Sequence, residues 1–255
     1  MNVIILGSGT GIPAADRASP ALVLTSMDRP ILFDAGPGTL GRLARIGIPH
    51  EKIGHVFITH FHPDHTADLV HLLFATRNPP ILRRREPFTL VGPRGLKAFL
   101  EGLESAYGDW IRIPGQILNV EELDALNGDQ RTFNGFQILS RPTPHTTTPS
   151  LAYRVTLSSG RSFVYTGDTG YAPDLGEFAR DCDLLITEAS FPEGQEVEGH
   201  LTPSQAGSIA AQARAAKLVL LHFYPEVLRT DIVSQCRKTF DGVLVLGRDR
   251  LHLTV

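Results

Sequence analysis

Residues 59–65 read Thr59-His60-Phe61-His62-Pro63-Asp64-His65, which brings three imidazoles and one carboxylate into six consecutive positions. Burying these groups without partners would leave unpaired polar atoms, at a cost of about 1–3 kcal/mol each. A divalent metal removes that cost, and neutral imidazole together with carboxylate suits zinc, manganese or iron. Structural zinc sites usually contain cysteine, which this stretch lacks. We therefore interpret the stretch as a catalytic type of metal-binding loop; the alternative is a solvated, histidine-rich loop.

The residues around this loop predict how its side chains are presented. Residues 53–59 have the apolar, β-rich character of a buried strand, and the residues after the loop carry apolar side chains at helical spacing. His60 and His62 lie two positions apart in extended chain, so their side chains can point the same way. Asp64 and His65 emerge from the start of the helix. One loop thus faces two neighbouring points, which favours two metal ions over one.

The bulk composition indicates one large domain. With 255 residues, of which 42% are apolar, the chain can bury a sizeable core, and no linker or internal repeat interrupts it. We therefore expect one domain over residues 1–255. The net charge of −3 gives no general attraction to nucleic acid or anionic membranes. The run Arg83-Arg84-Arg85 is interpreted as a solvated edge, with a phosphate-binding patch as the alternative.

The sequence also indicates the cellular location of the protein. No apolar run approaches the ~20 residues that a membrane-spanning helix needs, and residues 1–6 lead directly into a strand. We expect no membrane partner and a cytoplasmic location. Cys182 and Cys236 are too few for a disulfide framework, and we expect both to be small core residues and not ligands.

Short strand and helix patterns alternate along the rest of the chain. Two hairpins are predicted, over residues 21–33 and 151–165. Residues 7–13, Gly-Ser-Gly-Thr-Gly-Ile-Pro, have the spacing of a nucleotide-binding turn, but no convincing helix follows them, so we predict a tight loop near the site. Residues 107–132 are the least readable part, and a short flap facing the substrate is one interpretation.

Single acidic or imidazole side chains follow several predicted strands. Asp34 ends a strand, and an aspartate at such a position is as often a turn former or helix cap as a functional residue. His145 lies in a Pro/Thr-rich loop, where histidines are often simply exposed, but its place after a strand and upstream of another carboxylate loop favours a ligand. Asp168 and His222 also follow buried strands. Thr202 begins a helix with the pattern of a capping box.

Together these features resemble the ribonuclease Z and phosphodiesterase branch of the metallo-β-lactamase superfamily over nearly the whole chain. The matching positions are residues 7–11 with Pro13, Asp34, residues 60–65, residues 92–95, His145, Asp168, Glu188, His200 with Thr202, and His222. The resemblance implies an α/β (α+β) fold, a four-layer αββα sandwich with the metals at one edge between the sheets. It also implies that Asp34 orients ligands by hydrogen bonds without touching the metals.

The resemblance further implies a set of metal ligands. One ion would be held by His60, His62, His145 and Asp168, and the other by Asp64, His65, Asp168 and His222. Asp168 would bridge the two ions, which we expect to be zinc, with manganese or iron as alternatives. A hydroxide bridging them would be the nucleophile, because coordination lowers the pKa of water to about 7. Asp64 could accept its proton while remaining a ligand.

Two further residues distinguish this branch. Ribonuclease Z relatives pair the carboxylate of a Glu-Ala-Thr segment with the imidazole of a His-Ser-Thr segment near the scissile phosphate. The matching segments here are Glu188-Ala189-Ser190 and His200-Leu201-Thr202. A carboxylate keeps an imidazole protonated, so His200 would stabilise phosphate charge or protonate the leaving alkoxide. The alternative is an ordinary surface ion pair.

The substrate class depends on a departure from the family. Bacterial ribonuclease Z usually carries a long Gly/Pro-rich arm that grips transfer RNA, and residues 106–136 offer no such excursion. We therefore favour a phosphodiesterase for a small or cyclic phosphodiester or a short nucleic-acid end. One alternative is a transfer-RNA 3′ endonuclease that binds RNA and uses Arg83-Arg84-Arg85 across a homodimer, the assembly we expect. The other is a non-catalytic, metal-binding accessory or carrier protein.

Overall fold

Two mixed β-sheets form the centre of the molecule. The structure, a computed structural model, describes residues 1–146 and 149–254, and within them fourteen strands form two seven-stranded sheets. The strands are β1 (Asn2–Gly7), β2 (Ala21–Leu24), β3 (Ile31–Phe33), β4 (His55–Phe57), β5 (Phe88–Pro93), β6 (Leu118–Leu123), β7 (Asp129–Phe133), β8 (Phe136–Pro142), β9 (Leu151–Leu157), β10 (Ser162–Tyr165), β11 (Leu184–Glu188), β12 (Lys217–Leu221), β13 (Val243–Leu246) and β14 (His252–Thr254). Their order is β14-β1-β2-β3-β4-β5-β6 in the first sheet and β13-β12-β11-β10-β9-β8-β7 in the second.

Helices cover the outer faces of both sheets. Those described are α1 (Thr39–Arg45), α2 (Pro63–Thr66), α3 (Asp68–Thr76), α4 (Pro79–Arg84), α5 (Leu96–Tyr107), α6 (Asp174–Phe178), α7 (Pro203–Ala213), α8 (Pro225–Leu228) and α9 (Ile232–Arg237). Apolar side chains of α1, α3 and α5 pack on the first sheet, and those of α6, α7 and α9 pack on the second. None of the helices in residues 1–146 and 149–254 is long and apolar enough to cross a membrane.

The inner faces of the two sheets meet in an aromatic core. Phe33 and Phe57 of the first sheet stack with ring centroids 5.3 Å apart, and Phe33 meets Phe163 of the second sheet edge-on at 5.4 Å. Aromatic pairs of this kind contribute about 0.5–1.5 kcal/mol beyond their buried area. Along β10, Phe163 faces this core while Val164 faces the helices, as the two-residue period of a strand requires. The layers therefore confirm the predicted αββα sandwich.

The strand directions place the polar loops at one edge of the sandwich. β3, β4 and β5 run parallel to one another, as do β10, β11 and β12. β8 is antiparallel to β9, which is antiparallel to β10, so β8 and β10 share a direction. The carboxyl ends of strands with one direction lie at the same edge of a sheet. The loops after β3, β4, β8, β10 and β12 can therefore meet, although they are distant in the sequence.

Most of the local predictions hold. Both predicted hairpins form, since β2 pairs antiparallel with β3 and β9 pairs antiparallel with β10. The capping box is present, because Thr202 Oγ1 accepts from the Gln205 amide and the Gln205 side chain accepts from the Thr202 amide. Cys182 and Cys236 are buried in the helix-facing core of the second sheet, and burial raises the pKa of both thiols to about 11. The sequence also predicts a last strand over residues 251–255, of which Val255 lies outside the described residues.

Much of residues 107–132, for which a flap is one interpretation, is regular sheet structure. This segment contributes β6, which pairs with β5 at the edge of the first sheet, and β7, which pairs with β8 at the edge of the second. Both strands are only partly buried, and their polar residues give no clean alternation. The segment therefore extends both sheets, and the flap stays a prediction for the loop between β6 and β7.

The prediction of a solvated arginine edge is correct for only part of the run. Arg83 and Arg84 are exposed. Arg85 is 4% exposed, donates a hydrogen bond to the His50 carbonyl at 2.9 Å and lies 3.9 Å over the Phe88 ring. Burial lowers the pKa of its guanidinium to about 10. Arg85 is thus a structural residue, whose charge is satisfied by a backbone carbonyl and an aromatic face.

Asp249 holds the glycine-rich loop against the second sheet. One carboxylate oxygen accepts from Ser8 N and Ser8 Oγ at 2.9 and 2.8 Å. The other accepts from Ala18 N at 2.9 Å and from the Arg42 guanidinium at 2.6 and 2.9 Å. The Ser8 carbonyl accepts in turn from the amide of His222 at 3.0 Å. The loop over residues 7–13 is therefore a tight loop beside the candidate site, as predicted.

Replacing Asp249 with asparagine is expected to destabilise the protein by about 2–4 kcal/mol, because the hydrogen bonds lose their charge and Arg42 loses its partner. Urea unfolding in the presence of a chelator measures this change without a contribution from metal. Asp28→Asn, an exposed aspartate in the β2–β3 turn, is the control and should leave the unfolding midpoint unchanged. A change below 1 kcal/mol for Asp249→Asn would contradict the structural role.

Candidate metal centre and active site

Seven side chains predicted as ligands converge at the edge where the loops meet. Single ligand atoms of His60, His62, His145 and Asp168 all lie within 4.8 Å of one another. The same limit encloses a second group formed by Asp64, His65 and His222. The residues of the two groups lie in the loops after β4, β8, β10 and β12. Each group therefore contains residues from both sheets. The convergence is that predicted from the sequence.

Asp168 lies between the two groups. Its Oδ1 is 3.2 Å from His65 Nε2, and its Oδ2 is 3.3 Å from His222 Nε2. The same Oδ2 lies 4.0 Å from His60 Nε2 and 3.9 Å from His145 Nε2. The carboxylate is 3% exposed, so it faces the surrounding imidazoles and is shielded from bulk water. One carboxylate therefore contacts both groups.

Hydrogen bonds outside the cluster orient four of the histidine rings. The Nδ1–H groups donate as follows: His60 to Thr59 Oγ1 (3.0 Å), His65 to Asp34 Oδ2 (2.8 Å), His145 to the Gly199 carbonyl (2.7 Å) and His222 to Ser190 Oγ (2.9 Å). A ring that donates through Nδ1 keeps a lone pair on Nε2 when neutral. All four Nε2 atoms point toward Asp168, an arrangement typical of metal-binding histidines.

The donor set fits divalent metal ions. His60 Nε2 and His65 Nε2 are buried and have no hydrogen-bond partner among the described residues. A buried polar atom without a partner is costly, and a metal–nitrogen bond is the interaction that these lone pairs can make. Imidazole and carboxylate ligands without cysteine suit a catalytic site more than a structural zinc site. The residues present thus fit the metal ions that the family implies.

The electrostatics of the cluster also call for a cation. Burial, with the neighbouring His65, lowers the pKa of His60 well below its ordinary value, so this ring stays neutral. Burial alone would raise the pKa of Asp168, but His222 and His65 hold it well below its usual range. Burial alone would lower the pKa of His65, but Asp168 and Asp34 hold it well above its ordinary value. The carboxylates of Asp168 and Asp34 thus favour positive charge at this position, which a bound metal ion would supply.

Asp34 supports the cluster from outside, as predicted. It is fully buried and accepts hydrogen bonds from Thr59 N, His65 Nδ1 and the Tyr165 hydroxyl, each at 2.8 Å. Because these partners come from both sheets, the carboxylate fixes the distance between the histidine loop and β10. Its φ of 56° is in the left-handed region, which costs an aspartate little compared with a branched residue.

Two other backbone features allow the loops to approach closely. His222 has a φ of 57°, which turns its ring away from β12 and toward Asp168. Gly167 has a φ of +59°, and a Cβ at this position would lie 2.7 Å from Thr59 Cβ. A larger residue before Asp168 would therefore separate β10 from the histidine loop. Such strained positions concentrate at functional sites.

Glu188 and His200 form a pair beside the second group. His200 Nδ1 lies 2.9 Å from Glu188 Oε1. The carboxylate also accepts from the amides of Thr169 at 2.7 Å and Leu201 at 3.1 Å, and from the Ser190 hydroxyl. Glu188 is 2% exposed, so the alternative of an ordinary surface ion pair is wrong. His200, Asp168 and His222 each place a ligand atom within the same 4.8 Å.

The sequence interpretation missed the hydrogen-bonding residues that hold these groups. Thr59, Ser190 and Tyr165 each connect a ligand or Glu188 to the second sheet or to Asp34. Thr59 and Ser190 adjoin predicted site residues and could have been found by asking which side chains satisfy the histidine Nδ1 atoms. His50, His55, His71 and His252 belong to none of the metal-ligand groups found in the described residues.

Comparisons with known proteins agree with this geometry. Residues 29–223 match the family model described as a beta-lactamase superfamily domain. An uncharacterized protein of Mycobacterium tuberculosis is 33% identical over 245 residues, which cover 95% of this chain and 88% of that protein. Ribonuclease Z of Bacillus subtilis is 30% identical over 272 residues, covering 87% of this chain and 88% of the relative. The crystal structure of the metallo-β-lactamase fold protein YhfI from Bacillus subtilis, 26% identical, covers 99% of this chain and 98% of its own with a TM-score of 0.84.

The chain therefore belongs to the metallo-β-lactamase superfamily, in its ribonuclease Z branch. It is a metal-dependent hydrolase of the nuclease and phosphodiesterase type. The family, the fold and the enzyme class predicted from the sequence are all confirmed.

Proposed function

We propose that the protein is a dimetal phosphodiesterase that hydrolyses a small or cyclic phosphodiester or a short nucleic-acid end. The observation that supports this most directly is the position of Asp168 between two ligand groups. The ligands of the first ion are His60, His62, His145 and Asp168, and those of the second are Asp64, His65, Asp168 and His222. Zinc is the proposed metal, with manganese or iron as alternatives.

The protein's own groups are arranged for attack on a phosphate. Bound metal ions would supply an activated water and neutralise phosphate charge. Asp64 is the most exposed of the three carboxylates in the site, with a side chain 15% exposed, and it lies at the solvent side of the cluster. Burial would raise the pKa of Asp64, but the neighbouring imidazoles of His222 and His65 hold it below its ordinary value. Asp64 is therefore ionised and can accept the proton of the attacking water.

His200 is the proposed acid. Burial alone would lower its pKa, but the hydrogen bond and the charge of Glu188 raise the pKa above its ordinary value. The amides of Thr169 and Leu201 fix the Glu188 carboxylate, so the imidazole is held in one orientation. With Nδ1–H donated to Glu188, its other ring nitrogen is free to stabilise a phosphate oxygen or to protonate the leaving alkoxide.

The preference for a small substrate rests on what this chain lacks relative to ribonuclease Z of Bacillus subtilis. The alignment with the Bacillus subtilis enzyme spans 272 positions but uses 87% of this chain, about 222 residues, so about 50 positions of the relative have no counterpart here. Ribonuclease Z usually carries its transfer-RNA arm in the region that corresponds to residues 106–136. In the described residues, this region contains the sheet strands β6 and β7. Both observations support a substrate that needs no extended grip.

A second candidate is a transfer-RNA 3′ endonuclease, favoured by the 30% identity to ribonuclease Z of Bacillus subtilis. Arg83 and Arg84 would then contact RNA across a homodimer, while Arg85 is excluded because it is buried.

We propose one domain over residues 1–255, since β14 near the end of the chain pairs with β1. A homodimer and a cytoplasmic location stay predictions.

Turnover of three substrates separates the candidates. Zinc-, manganese- or iron-loaded protein is incubated with bis-p-nitrophenyl phosphate, a cyclic nucleotide and a precursor transfer RNA. We expect hydrolysis of one or both small phosphodiesters. Cleavage of the transfer RNA alone would favour the endonuclease, and no turnover of any phosphodiester with any metal would favour the non-catalytic accessory or carrier protein.

A further inference from the structure

A cavity of about 740 Å³ opens directly beside the metal-ligand cluster. His145 and His200 form its inner wall, and Tyr171, Gln205 and the loop over residues 196–199 form its outer wall. Because the inner wall belongs to the proposed reaction site, a phosphodiester whose phosphate is at the cluster would place one of its two organic groups in this cavity. The lining of the cavity therefore bears on which substrates fit.

Apart from the histidines of the proposed reaction site, the charged side chains that line the cavity are acidic. Among the described residues around the cavity, the acidic side chains are Glu196 and Glu198, and none is lysine or arginine. Both glutamates are exposed. Glu196 accepts from the Gly194 amide at 2.9 Å, which lowers the pKa of its carboxyl and keeps it ionised. A nucleic-acid channel shows the opposite pattern, with basic side chains along the backbone path.

The remaining lining suits an uncharged ring. Tyr171 is 39% exposed and Val197 is 42% exposed, so the cavity offers an aromatic and an aliphatic surface. The Tyr171 hydroxyl accepts from the Gln212 side chain at 3.1 Å, which orients the ring. A planar, neutral organic group can pack on these surfaces, whereas an additional phosphate at the glutamates would have no lysine or arginine in the lining to pair with.

We propose that Glu196 and Glu198 select against polyanionic substrates, so that the group in this cavity is uncharged or cationic and the substrate carries the scissile phosphate alone. The inference rests on the proposed phosphodiesterase function and narrows its substrates to small or cyclic phosphodiesters, since a nucleic-acid end carries further phosphates. Each carboxylate within about 8 Å of a second phosphate repels it by an amount that corresponds to a two- to threefold effect in water, before screening by salt.

A matched pair of chromogenic substrates tests the selectivity. The pair is thymidine 3′-(p-nitrophenyl phosphate) and the same compound with a 5′-phosphate, which differ in one charged group beyond the scissile phosphate. We expect the wild-type protein to have a higher kcat/KM for the substrate without the 5′-phosphate. In Glu196→Gln/Glu198→Gln, this preference should fall by about three- to tenfold, because both repulsive charges are gone.

Asp28→Asn/Asp241→Asn is the control variant. It removes the same number of charges from exposed positions, in the β2–β3 turn and just before β13, which the strand directions place at the opposite edge of the sandwich. Its substrate preference should equal that of the wild type. As a second measurement, raising the salt concentration should reduce the wild-type preference, because screening weakens the repulsion.

The outcomes distinguish the inference from the function on which it rests. Absence of bis-p-nitrophenyl phosphate hydrolysis would overturn the proposed phosphodiesterase. Hydrolysis of that compound together with equal kcat/KM for the matched pair, or with a preference unmoved in Glu196→Gln/Glu198→Gln and by salt, would overturn the inference and leave the phosphodiesterase intact.

Discussion

Asp168→Asn is expected to lose bound metal and to lower turnover of bis-p-nitrophenyl phosphate by about 10³-fold or more, the effect of several kcal/mol of lost metal-ion stabilisation. The physical reason is the position of the carboxylate between the two ligand groups, 3.2 Å from His65 Nε2 and 3.3 Å from His222 Nε2. An amide has nearly the same shape but carries no charge and offers one acceptor oxygen. The metal content, measured by inductively coupled plasma mass spectrometry, should fall together with the activity.

The control for this variant is Asp174→Asn. Asp174 is an exposed aspartate at the start of α6, paired with Arg141 on the surface. Metal content and turnover should match the wild type. Full metal content and wild-type activity in Asp168→Asn would show that this carboxylate does not join the two groups.

His200→Ala is expected to keep its metal and to lower kcat by about 10²–10⁴, the usual span for a general acid or base. The imidazole is held by Glu188 Oε1 at 2.9 Å, and no hydrogen bond in the described residues connects it to His60 or His65. Its removal should therefore leave the ligand geometry in place. Metal analysis and steady-state kinetics on the same preparation measure both quantities.

His71→Ala is the matched control, since His71 has a side chain 60% exposed on α3. It should change neither metal content nor kcat. Loss of one metal ion in His200→Ala would instead assign His200 as a ligand. The geometry allows this role, because a ligand atom of His200 lies within 4.8 Å of ligand atoms of Asp168 and His222.

The side chains that converge at the site could be predicted from the sequence, because the histidine loop is a dense local signal and the family resemblance supplied the other positions. Three histidines and an aspartate in six positions have few structural uses, and strand ends identify where further ligands must come from. Local hydrogen-bonding patterns could also be predicted, and the capping box of Thr202 and Gln205 is present in the structure. The sandwich itself came from the family resemblance, because alternating strands and helices are compatible with several arrangements of sheets.

Features that depend on distant partners could not be predicted. Asp249 is separated from Ser8 by 241 positions, so no local pattern indicates their hydrogen bonds. Arg85 reads as part of an exposed basic run, and its burial depends on the His50 carbonyl and the Phe88 ring. β6 and β7 are edge strands whose residues do not alternate regularly between apolar and polar. Pairing with β5 and β8 therefore decides their conformation more than their own residues do.

The most direct test of two metals sharing Asp168 is an anomalous-scattering map of crystals grown with zinc and recorded at the zinc absorption edge. We expect two peaks, one among His60, His62 and His145 and one among Asp64, His65 and His222, with the Asp168 carboxylate between them. A single peak, or two peaks with the Asp168 side chain turned away from both, would contradict the dinuclear site.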